Sequence, residues 1–128
     1  MPAPKNQLKA ALAAKQPQFG IWLNLARPYS AELLAGSGFD WLLIDGEHGP
    51  NAIPTMLAQA QTIGSRCNVV IRPPIGETWM IKQILDLGVQ TVLVPMIESV
   101  EHAAQMVKAM RYPPEGVRGL GASVARAA

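Results

Sequence analysis

The chain is short of the residues that mark several common roles. Cys67 is the one cysteine in 128 residues, which excludes an internal disulfide and a cysteine zinc cluster. That scarcity suits a reducing compartment, and a cytoplasmic location is the expectation. Charged residues make up only 16% of the chain and the net charge is +2, so neither sign dominates. With aromatics at 5% and no run of Lys or Arg, nothing marks a nucleic-acid surface. No apolar run approaches the roughly 20 residues of a membrane span. The opening Met1–Gln7 is polar, carries two prolines and lacks the apolar core of a signal peptide. The sequence also lacks a P-loop, a G-x-G-x-x-G after a strand, H-E-x-x-H and G-x-S-x-G.

What remains is an ordinary globular composition, 49% apolar, long enough for one domain with a modest core. Leu8–Lys15 is Ala- and Lys-rich, with Leu8, Ala11 and Leu12 on one helical face. Phe19–Leu23 reads as a strand, and Ser30 as the cap of a helix to about Ala35. Trp41–Ile44 is a second strand, after which Asn51 reads as an N-cap for a helix ending at Gly64. Asn68–Ile71, the helix Glu77–Leu87, Thr91–Val94 and a Ser99-capped helix to about Met110 complete the order. Arg111 to Ala128 reads as a long loop. Strands separated by helices imply parallel pairing with right-handed crossovers. The pattern, a leading helix and four strand–helix units, fits a small open α/β sheet or half of a (β/α)8 barrel. A fifth strand falling due after the polar tail favours the half barrel.

The informative stretch is Trp41-Leu42-Leu43-Ile44-Asp45-Gly46-Glu47-His48-Gly49-Pro50. A short apolar run that turns abruptly polar reads as a buried parallel strand with a tight turn at its C-terminal end. Active sites of parallel α/β folds sit at that end. His48 is the leading general base, or else a loop histidine at the surface; Asp45 and Glu47 beside it would raise its pKa and orient it. Asp45 also suits a plain turn role, accepting from loop amides. Arg72 ends a strand before the stiff Pro73-Pro74, well placed to polarise a carbonyl or clamp a carboxylate, or to pair with Glu77 on the rim. Asp86 opposes the dipole at its helix end, which implies a specific cationic partner or simple solvation. Glu98 and Ser99 read as capping residues and His102 as a surface group. Arg111, Arg118 and Arg126 flank a glycine-rich loop that would suit a distal anion.

These residues resemble the metal-dependent class II 2-oxo acid aldolases. The matching stretches are Phe19–Leu23, Gly38–His48, Val70–Pro73, Ile81–Asp86, Val94–Met96, Arg111–Pro114 and Arg118–Ala127. The Asp-Gly-Glu-His turn followed by Arg-Tyr-Pro-Pro is the specific part. The resemblance implies a (β/α)8 TIM barrel, with residues 1–128 as the N-terminal half of its single domain. It implies retro-aldol cleavage of a 4-hydroxy-2-oxo acid to pyruvate and an aldehyde, with Mg²⁺, Mn²⁺ or Co²⁺ as cofactor. By position, His48 resembles the acid/base, Asp86 the carboxylate that raises its basicity, and Arg72 the group that holds the 2-oxo oxygen. Trp22 would line the pyruvate pocket and Arg126 would meet the aldehyde portion. Asp45 and Glu47 would stand behind the metal, reaching it through water, while the direct ligands would lie in the second half of the barrel. The family also suggests a homo-oligomer, a hexamer, whose partners are small molecules rather than nucleic acid or membrane. No lysine stands at a strand end for a Schiff base, because Lys82 and Lys108 fall within helices. An inactive half barrel that oligomerises or needs a complementing half is the alternative expectation. A lyase acting on acyl-CoA esters is disfavoured by the lack of a basic run for the nucleotide phosphates.

Overall fold

The computed structural model describes residues 4–121. Helix α1 (Gln7–Ala13) begins at Asn6, whose side chain accepts from the Lys9 amide. Strands β1 (Gly20–Leu23), β2 (Trp41–Asp45), β3 (Asn68–Arg72) and β4 (Thr91–Val92) pair in parallel in chain order. Between them run α2 (Pro28–Ala35), α3 (Ile53–Ile63) and α4 (Thr78–Asp86), and α5 (Val100–Ala109) follows. Parallel strands need such crossovers, and sequential order is how a (β/α)8 barrel winds.

Register divides each strand between two faces. Leu23, Ile44, Ile71 and Val92 stand level across the sheet. With Leu42, they pack against Met56, Ile63, Ile84, Ala31 and Ala35 of the helices, forming the main core. The alternate residues form the other face: Gly20, Trp41 and Asn68 at one level, then Trp22, Leu43, Val70 and Thr91, then Asp45 and Arg72. The middle of β1–β3 is therefore apolar on both faces, with polar Asn68 and Thr91 at the strand starts, and the inner face becomes charged at the C-terminal end. Gly20 is required at the first level, since a Cβ there would lie 2.0 Å from Cδ2 of the Trp41 ring. Leu8 of α1 packs on Leu43 and Val70, so α1 covers the inner face near the strand starts. Asn6 ties it there by donating to Oγ1 of Thr91 at 3.0 Å and to the Gln90 carbonyl at 3.3 Å.

Several expected boundaries move. Helix α2 starts at Pro28 rather than after Ser30. Proline at the first helical position presets φ, and the Ser30 hydroxyl donates back to the Arg27 carbonyl at 2.8 Å. Asn51 is not the cap of α3: Ala52 holds that place, and its amide donates to Oγ1 of Thr55. Strand β4 stops at Val92, with one more ladder bond from the Leu93 amide to the Ile71 carbonyl. Pro95 has no N–H to continue it, and Met96 turns into the left-handed region at φ 53°. Leu12 is exposed because only the first turn of α1 meets the sheet. Ser99 caps α5 as expected, accepting from the His102 amide.

Candidate active site

The charged inner face at the ends of β2 and β3 is the candidate site. Asp45 and Arg72 are register partners, so their side chains leave the sheet side by side. Arg72 donates from Nε to Oδ1 and from Nη2 to Oδ2 of Asp45, both at 2.9 Å. Its Nη1 lies 2.6 Å from Oε2 of Glu47. The guanidinium also stacks on the Trp22 ring, 4.5 Å from the centroid. The planar fork is thus fixed by two carboxylates and an indole, and it has more N–H groups than these contacts use.

Asp45 is 0% exposed, and its carboxylate is saturated. Beyond Arg72, Oδ2 accepts from Nδ2 of Asn24 at 3.0 Å, and Oδ1 accepts from the Glu47 and His48 amides. Burial pushes the Asp45 carboxyl up; the Arg72 hydrogen bond, the two amides and the Arg72 charge outweigh it and hold the group below its ordinary 3.8. The hydrogen bond to Asp45 in turn pushes Arg72 further up. Asp45 therefore takes the turn role the sequence offered, accepting from loop amides, and is besides the ion partner of Arg72, a pairing the sequence reading did not foresee. Arg72 does not pair with Glu77, which caps α4.

His48 is carried by the same turn. Its imidazole is 72% exposed, with Nε2 3.8 Å from Oε2 of Glu47. His48, Glu47, Asp45, Arg72 and Trp22 thus converge at one end of the sheet. The structure does not bring Asp86 to them. Asp86 ends α4, which runs back from the end of β3 toward the start of β4. There its Oδ1 accepts from Nη2 of Arg118 at 2.7 Å, and Arg118 stacks over Tyr112. Arg118 is thus the specific cationic partner that the position of Asp86 implied, in place of simple solvation. Arg126 lies outside the described residues. His102 is half-buried rather than a free surface group, with Nε2 3.2 Å from the Gly76 carbonyl.

The sequence reading missed Asn24 as a partner of Asp45 and took Asn51 for a helix cap. Each follows a strand end closely, and that position was the available signal. A cavity of about 810 Å³ opens at the other end of the sheet, lined by Asn6, Asp40, Cys67, Asn68 and Gln90 among others, away from this cluster. Among the described residues, no three His, Cys, Asp or Glu side chains gather as metal ligands. Both Asp45 oxygens already face donors, so Asp45 does not fit direct ligation of a divalent cation.

Residues 18–127 match HpcH/HpaI aldolase/citrate lyase. The hydroxypyruvate/pyruvate aldolase of Deinococcus radiodurans is 58% identical over 123 residues, covering 95% of this chain and 44% of that protein. The 4-hydroxy-2-oxo-heptane-1,7-dioate aldolase of Shigella boydii is 55% identical over 124 residues, covering 96% and 47%. The chain thus spans about half the length of the curated relatives it matches. A crystal structure of an HpcH/HpaI aldolase/citrate lyase family protein from Burkholderia cenocepacia superposes with a TM-score of 0.90 at 38% identity, covering 94% of this chain and 50% of that one. Parallel strands in winding order and a match over residues 18–127 place this chain in the HpcH/HpaI aldolase/citrate lyase family.

Proposed function

We propose that residues 1–128 form the N-terminal half of a (β/α)8 barrel that cleaves a 4-hydroxy-2-oxo acid to pyruvate and an aldehyde. The supporting observation is the Arg72 guanidinium, immobilised by Asp45, Glu47 and Trp22 beside His48 at the strand ends. His48 takes the proton of the C4 hydroxyl. The C3–C4 bond breaks, its electron pair passes to the C2 carbonyl oxygen, and the aldehyde leaves. Unused N–H groups of Arg72 donate to that oxygen as its charge develops, in a site whose dipoles are already fixed. The His48 imidazolium then returns its proton to C3, which gives pyruvate and restores the base. Glu47, close to His48, stabilises the imidazolium while it holds the proton.

A divalent metal, when bound, would act as a Lewis acid on the 2-oxo group. In this reading its direct ligands would come from outside the described residues, and Asp45 and Glu47 would stand behind them. Trp22 lines the pyruvate side, and Arg126 serves the aldehyde side. Asp86 is paired with Arg118 at the far end of the sheet, so within this chain it has no part in the step at His48. The alternative is a half barrel that only associates. It draws support from Trp22 and Leu93, which are 41% and 44% exposed at the inner face and the β4 end.

The test is pyruvate release from a 4-hydroxy-2-oxo acid by the chain combined with the C-terminal half of the Deinococcus radiodurans relative, with Mn²⁺ and with EDTA. Turnover that EDTA stops is expected, and His48→Ala lowers it about 10²–10⁴-fold while pyruvate still binds. Full activity in that variant overturns the base assignment. Borohydride trapping of a lysine adduct overturns the metal-assisted route. No turnover by any combination favours the associating half barrel.

A further inference from the structure

We infer that Asn51 is a positioning residue that sets the place of His48 and Arg72 by bolting the ends of β1 and β2 together; its bearing on catalysis rests on the aldolase reading above. Asn51 is only 8% exposed. Its Nδ2 donates to the Asp45 carbonyl at 2.8 Å and to the Leu23 carbonyl at 3.3 Å. Those are the last residues of β2 and β1, where the regular ladder runs out.

The orientation of the carboxamide is dictated by α3. Gln59, 0% exposed, donates from Nε2 to the Thr55 carbonyl at 3.1 Å, which fixes which end of its amide faces Asn51. The same Nε2 donates to Oδ1 of Asn51 at 2.6 Å. Oδ1 of Asn51 therefore faces α3, and Nδ2 must face the two strand carbonyls. A flipped Asn51 would set oxygen against oxygen at both. Gly49 lets the chain fold over this clasp, since a Cβ there would lie 2.5 Å from the Asp45 carbonyl.

The chemistry depends on the clasp because His48 has little else to hold it. Its imidazole is exposed, so the turn's backbone fixes its position. That backbone is held from one side by the Asp45 carboxylate, through the Glu47 and His48 amides, and from the other by Asn51 on the Asp45 carbonyl. Arg72 is anchored to the same Asp45. A shift of the β2 end would move base and guanidinium together, and misplacement by about 1 Å can cost about 10²-fold in rate.

The experiment compares Asn51→Ala, the milder Asn51→Ser and Gln59→Leu, the last keeping both Asn51 donors. Amide hydrogen exchange is read on the chain itself, and turnover is read in the complemented barrel. In Asn51→Ala, exchange at Glu47 and His48 is expected to accelerate about tenfold or more beyond that at Leu43 and Val70, as the loss of both bonds to the strand carbonyls implies. Turnover is expected to fall about 10²-fold in kcat with a much smaller change in KM. Asn51→Ser should fall between it and the unaltered chain, and Gln59→Leu should lose stability with less effect on kcat. Uniform acceleration across the sheet, or a kcat loss in Gln59→Leu equal to that in Asn51→Ala, overturns the positioning role. If the unaltered protein shows no turnover, the aldolase reading fails alone, and the exchange pattern still decides whether Asn51 holds the turn.

Discussion

Asp45→Asn is the sharpest perturbation of the site. The side chain keeps its size but loses its charge, and its new NH₂ must face groups that are already donors. At the Oδ2 position those are Nη2 of Arg72 and Nδ2 of Asn24; at the Oδ1 position they are Nε of Arg72 and the Glu47 and His48 amides. Neither orientation of the amide avoids this conflict. Asp45 is 0% exposed and Arg72 16%, so water does little to screen the broken pair. Removing one partner of such a pair costs about 3–5 kcal/mol. For a chain of this size that lowers the thermal midpoint by on the order of 10–20 °C. Acid dependence provides a second readout. The folded carboxyl lies below its ordinary 3.8, so its contribution is complete above that value and is lost as pH falls through the depressed folded value. Denaturant melts of the unaltered chain from pH 7 to pH 2 should show this acid loss, and Asp45→Asn should flatten it. Asp40→Asn is the control: its carboxylate accepts from the Phe19 amide near the strand starts, and its loss should cost about 1 kcal/mol or less. A destabilisation by Asp45→Asn no larger than the control, with an unchanged acid limb, would refute the ion-pair reasoning.

Two further outcomes test the frame around the site. Gly20→Ala forces a methyl into the Trp41 ring and should destabilise by about 1–3 kcal/mol in urea melts, with a shift in tryptophan emission; a cost under about 0.5 kcal/mol would mean the ring moves freely. Arg118→Ala and Asp86→Asn, alone and together, should give a coupling of about 1 kcal/mol or more in a double-mutant cycle, since the pair is 12% and 18% exposed and its atoms lie 2.7 Å apart; additive effects would show that the contact carries no stability.

The elements were legible because their causes are local. Proline at Pro54, Gly64 and Gly88 after helices, and the Ser99 cap act within a turn or two of themselves. The apolar run into Asp45-Gly46-Glu47-His48 likewise announced a strand end with polar cargo, because the change from buried to exposed chain is written residue by residue. Even there local reasoning erred over Ser30 and Asn51, both good caps by type. Pro28 starts α2 earlier, and Asn51 is drawn inward by two strand carbonyls and a glutamine on the facing helix.

Which side chains meet was settled by register and packing, which no short window of sequence contains. Arg72 finds Asp45 across 27 residues because β2 and β3 pair at that offset. Asn24 reaches the same carboxylate across 21, from the end of the neighbouring strand. Asp86 finds Arg118 across 32, at the end of the sheet remote from His48, because the crossover helix reverses direction. Residue type and local period thus told what each segment would become and that acids, a histidine and an arginine would edge one mouth. Their pairing came from the parallel sheet, whose inter-strand offsets are a property of the packed whole.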